Sequence, residues 1–306
     1  MIVVTGGAGF IGSNLVHGLN SAGMKDIVIV DSLVDARKHL NLSKAHITDY
    51  FDKDDFPDAL AGLSNIDAVF HLGACAVTTE QDGRFMMKNN YTYSKTLLHA
   101  CLKRKIPFIY ASSAAVYGAG EHAFVKNDNQ EKPLNVYGFS KWAFDQHVMK
   151  FLPEAQSPVI GLRYFNVYGP RESHKGDMAS VIFKMVARHR AGKQLQLFHG
   201  SDTFLRDFID VRDVVDVNLH FLQSGKSGIY NCGTGTPRSF QDLGELVAHN
   251  LDGAQIEMID MPPSLEGQYQ KYTCADGTLL RNSGYSTGFR SLEDGIRDYV
   301  HWLNRD

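Results

Sequence analysis

The chain has 306 residues, of which 43% are hydrophobic and 21% charged, and its formal net charge at pH 7 is −3. This composition is typical of globular proteins and lacks the basic excess of nucleic-acid-binding or membrane-surface proteins. The four cysteines are widely spaced and no H-x-x-x-H occurs, so neither a disulfide framework nor a metal site is predicted. Because the chain shows no signal-peptide pattern and no apolar run of about 18 residues, we expect a cytoplasmic protein.

Apolar segments that predict strands alternate with segments of helical periodicity through the first half of the chain. The segments that predict strands are 1–6, 26–31, 67–74, 107–114 and 157–166. Those that predict helices are 10–23, 86–105 and 135–152. Alternation of helices with fully apolar strands predicts a parallel sheet that helices cover on both faces.

The alternation becomes less regular after residue 167. Predicted helices are 178–193, 211–225, 239–251 and 291–303, and predicted strands are 195–198, 228–233 and 255–260. We therefore expect an α/β protein with a Rossmann-type doubly wound parallel sheet, formed by residues 1–167 plus about 205–235. A smaller mixed α/β substrate-binding domain is expected from about 168–204 plus 236–306.

The sequence TGGAGFIG places Gly6, Gly9 and Gly12 between a predicted strand and a predicted helix. This spacing in this context is typical of a dinucleotide-binding loop. The first glycine allows a tight turn, the second a close approach of the backbone to pyrophosphate, and the third close packing of helix on strand. The N-terminus of the helix would face the anion.

The type of dinucleotide depends on residues at the end of the second predicted strand. Asp31 ends this strand, where an acidic side chain accepts a hydrogen bond from the ribose of NAD. Arg37, Lys38 and Lys53 follow on segments that can reach the same ribose, and their charge favours the 2′-phosphate of NADP. From spacing alone, both cofactors stay open.

Tyr137 and Lys141 lie one turn apart in a predicted helix, so their side chains share one face. A phenol titrates at about pH 10, and a neighbouring ammonium, together with the positive charge of the nicotinamide, stabilises the phenolate and lowers its pKa. Ser112 and Ser113 end a predicted strand at the edge where open α/β sheets bind ligands. A serine hydroxyl there can orient a substrate alcohol, so the pattern predicts a tyrosine acid/base beside a nicotinamide cofactor.

The motifs TGGAGFIG, SSAAVYG and YGFSK resemble those of the extended short-chain dehydrogenase/reductase family. The segments RYFNVYGPR and RDFIDVRDVV are similar to its nucleotide-sugar branch. The longer strings EQDGRFMMKNNYTYSK, YFNVYGPRESHKGDMASV and GQYQKYTCAD resemble the ADP-L-glycero-D-manno-heptose 6-epimerases, which make the heptose donor for the inner core of lipopolysaccharide. The resemblance spans essentially the whole chain and implies an NADP-dependent isomerase that forms a homo-oligomer, specifically a homopentamer.

The resemblance also implies roles for single residues. Tyr137 and Lys175 would be acid/base groups, and Lys141 would tune Tyr137 and bind the cofactor. Besides the three glycines, the predicted NADP-binding residues are Phe10, Ile11, Asp31, Ser32, Lys38, Lys53, Leu72, Gly73, Ala74, Cys75, Ala76, Asn89, Tyr137, Lys141, Val167 and Lys175. The predicted substrate-binding residues are Ser113, Asn166, Asp177, Lys184, Phe198, His199, Gly200, Ser201, Arg206 and Tyr269. Retention of both Lys38 and Lys53 moves the cofactor prediction to NADP.

Three positions depart from the pattern expected of the heptose epimerases. Asp177 stands where that pattern has serine, Lys184 where it has histidine, and Gln268 where it has arginine. The first two are substrate-side positions. Asp177 would repel a diphosphate unless it faces a sugar hydroxyl, and the charge of Lys184 can offset it.

The resemblance implies a second acid/base group, Lys175, in addition to Tyr137, and the proposed reaction gives a chemical reason for it. The heptose C6 carbon is not acidic, so inversion is expected to pass through a transient 6-ketone that is reduced again from its other face. An enzyme that handles both hydroxyl configurations benefits from two proton-transfer groups, and Lys175 is predicted to be the second. The other interpretation is that Lys175 only binds phosphate.

Other functions remain open from the residues. A UDP-hexose 4-epimerase shares the core motifs and can use Tyr137 alone. A 4,6-dehydratase is disfavoured, because Ala114 and Ala115 stand where such enzymes typically have Asp-Glu. A non-catalytic NADP-binding scaffold is the alternative from another class, although the chain retains both Tyr137 and Lys141.

Overall fold

The computed structural model describes residues 1–119, 124, 131–262 and 272–305. The strands in chain order are β1 Ile2–Thr5, β2 Ile27–Asp31, β3 Asp49–Asp52, β4 Ala68–His71, β5 Phe108–Ser113, β6 Val159–Tyr164, β7 Asn166–Tyr168, β8 Leu195–Phe198, β9 Leu205–Arg206, β10 Phe208–Asp210, β11 Gly228–Cys232, β12 Arg238–Ser239 and β13 Ile256–Ile259. The helices are α1 Phe10–Ser21, α2 Phe56–Ala59, α3 Gly83–Met87, α4 Tyr93–Arg104, α5 Val136–Met149, α6 Val181–Arg190, α7 Val211–Ser224, α8 Phe240–His249, α9 Thr278–Asn282 and α10 Leu292–Leu303.

Seven of the described strands form one parallel sheet in the spatial order β11-β6-β5-β4-β1-β2-β3. Strands β1, β2, β4 and β6 are buried along their whole length, because helices cover both faces of the sheet. Strand order reverses next to β1, and open α/β sheets bind ligands at such a point, beyond the carboxyl ends of the strands. The Rossmann-type fold predicted from the sequence is confirmed.

The two faces of the sheet bury separate apolar cores. On one face, α1 and α7 pack side chains such as Leu15, Leu19 and Phe221 against the strands. On the other, α2, α4 and α5 contribute Phe56, Leu97 and other apolar groups. The amino end of α5 is thereby fixed against the carboxyl end of β5, where the predicted acid/base residues lie.

A third core lies between α6, α8 and α10 and the paired strands β8 and β13. It forms most of the smaller unit expected from the sequence. The predicted boundary is not matched everywhere, since Leu280 of α9 and Tyr285 pack in the core of the main sheet although 236–306 was assigned to the smaller unit. Within the ranges that the structure describes, none of the helices has the length and apolar character needed to cross a membrane.

Candidate active site

The glycine loop between β1 and α1 is packed too closely for larger residues. Gly6 has a φ of +68°, and a Cβ atom there would lie 2.6 Å from the backbone nitrogen of Gly73. A Cβ on Gly12 would lie 2.0 Å from the carbonyl oxygen of Gly6. Glycine is therefore required at both positions for the loop to turn tightly and for α1 to start against it. This geometry leaves backbone exposed at the N-terminus of α1, as a pyrophosphate site needs.

The segment after β4 forms the opposite wall of this loop. It includes Cys75, whose backbone N–H donates to Asn90 Oδ1 at 2.8 Å and whose carbonyl accepts from Asn90 Nδ2 at 2.9 Å. Asn90 lies in a π-helical turn, Lys88–Thr92, between α3 and α4. The predicted cofactor segment 72–76 is thus fixed by a buried asparagine that the sequence interpretation did not identify.

Asp31 and Lys38 form an ion pair at the end of β2. The other carboxylate oxygen of Asp31 accepts a hydrogen bond from the Ala8 N–H at 2.8 Å, and Lys38 Nζ also donates to the Ser32 carbonyl at 2.9 Å. Lys53 Nζ pairs with Asp54 at 2.7 Å and lies 3.4 Å from Asn89 Oδ1. The charge of Asp31 is therefore compensated by a lysine.

Arg37 does not join this cluster. Its guanidinium pairs with the carboxylate of Asp35 at 2.6 Å, at the start of the turn Ala36–Leu42. Of the three cations considered for a 2′-phosphate, the structure brings Lys38 to Asp31 and directs Arg37 to a different acid.

A cavity of about 600 Å³ opens beyond the carboxyl ends of β1, β4, β5 and β6. Its walls come from α1, β5, α5, β7, the loop before α6, and α8 of the smaller unit. The predicted site residues that line it are Phe10, Ile11, Leu72, Ala74, Ala76, Ser113, Tyr137, Lys141, Asn166, Val167, Lys175, Asp177 and Arg206. Thirteen residues predicted for cofactor, substrate and proton transfer thus meet at one place.

Tyr137 lies in the first turn of α5, which begins after Asn135 caps the helix through the Gly138 N–H at 2.8 Å. The pairing with lysine predicts a lowered pKa for this phenol, but the pKa of Tyr137 is raised. The cause is burial, which disfavours the phenolate, and an interaction with the Ser113 hydroxyl opposes it only in part. The predicted lowering concerns the enzyme with its positively charged nicotinamide bound, whereas in the protein without ligands burial raises the pKa.

Lys141 is buried one turn further along α5, and its Nζ donates to the Ala111 carbonyl at 2.8 Å. Burial lowers the pKa of Lys141 to about 8, although the nearby Asp145 carboxylate acts in the opposite direction. A lysine near neutrality can give up or keep its charge as its surroundings change. Its charge therefore depends on the acid one turn below it.

Asp145 belongs to a buried network that the sequence interpretation missed. It accepts hydrogen bonds from Tyr110 OH, Ser112 Oγ and Arg163 Nε, each at 2.9 Å. Arg163, which is 1% exposed, also pairs with Glu131 at 2.7 Å. The network fixes α5 to β5 and β6, and the signal available in the sequence was an acid four residues after Lys141.

Lys175 lies in the turn Ser173–Met178, between β7 and α6. Its Nζ is 4.8 Å from the ring centre of Phe10 and 3.7 Å from Glu172 Oε2. Burial lowers the pKa of Lys175, whereas Glu172 raises it. The ammonium group therefore lies at the cavity wall near the start of α1, away from the α5 element that carries Tyr137.

The predicted substrate residues divide into two groups. Asn166 and Arg206 line the cavity, and the Asn166 amide oxygen is 3.4 Å from the hydroxyl of Thr273. Asp177 also lines it, and its backbone carbonyl accepts from Lys184 Nζ at 2.6 Å. Lys184 thus contacts Asp177 through the main-chain carbonyl of that residue.

The remaining predicted substrate residues lie further out. Residues 198–201 form a turn at the end of β8, in which the Ser201 N–H donates to the Phe198 carbonyl at 3.0 Å. Among the described residues, neither this turn nor Lys184 is part of the cavity wall. Tyr269 and Gln268 lie outside the described residues.

Comparison with known proteins assigns the chain to a family. A sequence profile of the NAD dependent epimerase/dehydratase family matches residues 2–233. The chain belongs to this epimerase/dehydratase family. The matched range covers the glycine loop, the tyrosine–lysine helix and the loop that carries Lys175.

Solved structures of epimerases share the fold over nearly the full chain. The Helicobacter pylori ADP-L-glycero-D-manno-heptose-6-epimerase superposes with a TM-score of 0.88 and 32% identity, covering 100% of this chain and 96% of that one. The Thermotoga maritima UDP-glucose 4-epimerase, with UDP-glucose, gives 0.86 and 28%, covering 99% and 98%. The Bacillus cereus UDP-glucuronic acid 4-epimerase, in complex with UDP-glucuronic acid and NAD, gives 0.82 and 26%, covering 99% of each chain.

The glycine loop of this epimerase/dehydratase family member is compatible with a dinucleotide. The close approach of Gly6 to Gly73 leaves no room for a Cβ atom, so backbone groups form the floor of the loop. Lys38 adds a cation at the end of β2, and the buried Lys141 lines the cavity. These residues fit a nicotinamide dinucleotide, whose phosphates the glycine loop could hold.

Proposed function

We propose that the chain is a nucleotide-sugar epimerase that inverts C6 of ADP-D-glycero-D-manno-heptose to give ADP-L-glycero-D-manno-heptose, with NADP as cofactor. The observation that carries this proposal is that Tyr137 and Lys175 line one cavity from different elements. A single-configuration dehydrogenase needs one acid/base group. Two such groups suit a reaction in which the substrate hydroxyl points in one direction before the reaction and in the other after it.

The proposed chemistry follows from the substrate carbon. C6 carries a hydroxyl, a hydrogen and C7, and its hydrogen is too weakly acidic for direct removal, so inversion requires transient oxidation to a 6-ketone. A bound nicotinamide cofactor supplies a hydride acceptor that can return the hydride to the same carbon. Tyr137 takes or gives the proton on oxygen for one hydroxyl configuration, and Lys175 does so for the other.

Two further residues position the reacting groups. Ser113, which interacts with the Tyr137 hydroxyl, orients the substrate alcohol. Lys141 binds the cofactor ribose and adds positive charge beneath the phenol when protonated. Lys38 supports NADP over NAD, because it already compensates Asp31 and so reduces the repulsion that this acid would exert on a 2′-phosphate.

The heptose substrate is supported by the similarity to the Helicobacter pylori enzyme and by the loop 171–180. Asp177 and Lys184 are two of the three positions where this chain departs from the expected pattern, and Asp177 lines the cavity while Lys184 contacts its carbonyl. A sugar hydroxyl near Asp177 fits this arrangement better than a phosphate does, since the carboxylate would repel the phosphate.

A UDP-hexose 4-epimerase is the second candidate. The similarity to the Thermotoga maritima enzyme supports it, and Tyr137 alone would serve its chemistry. A non-catalytic NADP-binding scaffold is a remoter candidate, which the joint presence of Tyr137, Lys141 and Ser113 in one cavity disfavours.

The deciding experiment is incubation of the purified enzyme with ADP-D-glycero-D-manno-heptose and, separately, with UDP-glucose, followed by NMR of the products. We expect inversion at C6 of the heptose and no change in UDP-glucose. Formation of UDP-galactose would favour the second candidate, and absence of both products would favour the scaffold. We also propose a homopentamer, which light scattering after size-exclusion chromatography tests.

A further inference from the structure

Glu172 is a buried carboxylate three residues before Lys175, and it is 0% exposed. Its Oε2 accepts a hydrogen bond from the Ser180 N–H at 2.7 Å. Its Oε1 accepts from Ser180 Oγ at 2.6 Å and from Tyr299 OH at 2.9 Å. The carboxylate is therefore held by the first residue before α6 and by a side chain of α10 in the smaller unit.

A fully buried carboxylate is costly unless its charge is compensated. Neutral donors such as Ser180 and Tyr299 supply hydrogen bonds to it but no charge. Lys175 supplies the charge, with its Nζ 3.7 Å from Oε2, a distance too long for a hydrogen bond but short enough for an ion pair. The two residues are also joined through the backbone, since the Lys175 N–H donates to the Glu172 carbonyl at 3.0 Å.

The ion pair with Glu172 leaves the ammonium of Lys175 accessible from the cavity. Its Nζ lies over the Phe10 ring, its side chain is 24% exposed, and it lines the cavity. The titratable groups that act on it are Glu172, which raises its pKa, and Lys184, which lowers it, while His174 beside it is itself affected by the lysine. A loose ion pair of this kind holds an ammonium in place and leaves its protons available.

We propose that Glu172 is the positioning residue of Lys175 and holds the lysine ammonium in place at the cavity wall. This inference rests on the proposed acid/base role of Lys175. Because Tyr299 of α10 donates to the same carboxylate, the packing of the smaller unit on the sheet also determines where Lys175 lies. Glu172 itself is fully buried and does not line the cavity, so it would not contact the substrate.

The alternative is that Glu172 only stabilises the start of α6. Ser180 caps that helix by accepting from the Phe183 N–H at 3.2 Å, and Glu172 would then serve to fix Ser180. In that case a change at Glu172 lowers the stability and the amount of active enzyme, but the pH dependence of the remaining activity stays the same.

The test uses Glu172→Gln, which keeps the shape of the side chain and removes its charge. The kcat of heptose epimerisation is measured against pH for wild type, Glu172→Gln, Lys175→Met and the double variant, with NADP bound. Loss of a negative charge close to the ammonium lowers the pKa of Lys175. The part of the kcat–pH profile that reflects titration of Lys175 is the part that is lost in Lys175→Met. In Glu172→Gln, this part should move at least about one pH unit lower. KM should change much less than kcat.

The double variant provides the second criterion. If Glu172 acts through Lys175, adding Glu172→Gln to Lys175→Met should cause no further loss of kcat. If the two residues act independently, the fold-losses in kcat of the two single variants should multiply in the double variant. NMR of isotopically dimethylated lysines reports the pKa of Lys175 without any activity. Its signal should shift to a lower pKa in Glu172→Gln, and it is assigned by its absence in Lys175→Met.

The matched control is Asp213→Asn, a carboxylate that is 1% exposed and is bonded to the Arg290 N–H at 3.0 Å outside the cavity wall. It should lose stability without any change in the pH profile. If Glu172→Gln does not fold, Glu172→Asp, which keeps the charge, should lower kcat and keep the part of the profile that reflects Lys175 near its wild-type pH. The inference would be refuted if the pH profile of Glu172→Gln matched that of the wild type and the kcat losses of the two single variants multiplied in the double variant. The proposed function would then stay intact. Full activity of Lys175→Met would refute both the inference and the proposed function.

Discussion

Removal of the Tyr137 hydroxyl tests its proposed role in proton transfer, because it should change the reaction rate and leave cofactor affinity unchanged. Tyr137→Phe removes one oxygen, and the half-buried ring stays packed in the first turn of α5. We expect kcat for epimerisation to fall about 100- to 10,000-fold, because a positioned acid/base group is lost. Cofactor affinity, measured by fluorescence titration, should stay near the wild-type value. Tyr230→Phe, in β11, is the matched control and should keep near-normal activity; normal activity of Tyr137→Phe would show that another group moves the proton.

Lys38 and Lys53 are the residues on which the NADP proposal depends. In Lys38→Ala/Lys53→Ala, a 2′-phosphate loses two charged partners, each worth roughly 1.5–3 kcal/mol, and Asp31 loses the cation that compensates it. The ratio of NADP to NAD affinity should therefore fall at least about 100-fold. Lys25→Ala, at the opposite end of β2, should leave this ratio unchanged. An unchanged ratio in the double variant would mean that these lysines do not recognise the phosphate.

Lys141 illustrates how a buried lysine at the cavity wall costs stability. Its pKa of about 8 in the folded protein is below the ordinary value of 10.5, so folding disfavours its charged form. The resulting penalty is fully present below about pH 8 and disappears as the pH rises towards the unfolded pKa. Relative to Lys141→Met, the wild type should therefore gain about 2–3 kcal/mol of unfolding free energy between about pH 7 and 10.

Urea unfolding of the wild type and Lys141→Met across this pH range measures the difference in their unfolding free energies. The contributions of the other titrating groups are common to both proteins and cancel in this difference. Lys150→Met, at the exposed end of the same helix, should show no such trend. A flat difference for Lys141→Met would mean that the lysine is neutral, or well solvated, throughout the range.

At the scale of elements, most strands of the main sheet could be predicted from their continuous apolar runs, and the long helices from their periodicity. The exception in the sheet is β3, where the residues Asp49–Asp52 form a partly exposed edge strand with no apolar run. The short strands β7, β9, β10 and β12 were also not predicted. Two or three residues carry no period, and only long-range pairing defines them.

The same distinction holds in the site. The motif residues Gly6, Tyr137 and Lys141 could be proposed as site residues because their spacing is local. Glu172, Asp145 and Asn90 could not, because their roles depend on burial and on partners in other structural elements, which a pattern of spacing does not contain. Burial likewise raises the pKa of Tyr137 in the protein without ligands, a contribution that the spacing of Tyr137 and Lys141 does not contain.

The helix α5 depends on one of these missed residues. Asp145→Ala removes the acceptor of three hydrogen bonds and leaves the buried Arg163 with Glu131 as its remaining acidic partner. Breaking a buried ion pair on one side typically costs about 3–5 kcal/mol, and we expect a loss of that size in urea unfolding. Asp298→Ala removes an exposed partner of Arg212 and should cost at most about 1 kcal/mol. Similar losses for both variants would contradict the proposed importance of the buried network.

At the scale of the whole molecule, the cavity is a joint property of the main sheet and the smaller unit. Tyr137 is carried by α5 on the sheet, whereas Lys175 lies on the segment that leads from β7 into α6 and is held through Glu172 by α10. A substrate between them must be contacted from both sides. One group can therefore be removed while the other, with its cofactor contacts, stays in place.

Lys175→Met uses this separation, because it keeps the apolar stem of the lysine and removes the ammonium. Epimerisation at saturating substrate should fall about 100- to 10,000-fold, as expected for loss of an acid/base group, with substrate affinity little changed. Dismutation of a nucleotide-linked sugar with a C6 aldehyde, in which one aldehyde is oxidised while another is reduced on the same cofactor, should survive because Tyr137 alone serves it. A lysine that only binds phosphate gives the opposite pattern, with weaker affinity for every ADP-sugar and normal rates at saturation. Measuring affinity, epimerisation and dismutation on this one variant therefore distinguishes proton transfer by Lys175 from simple anion binding.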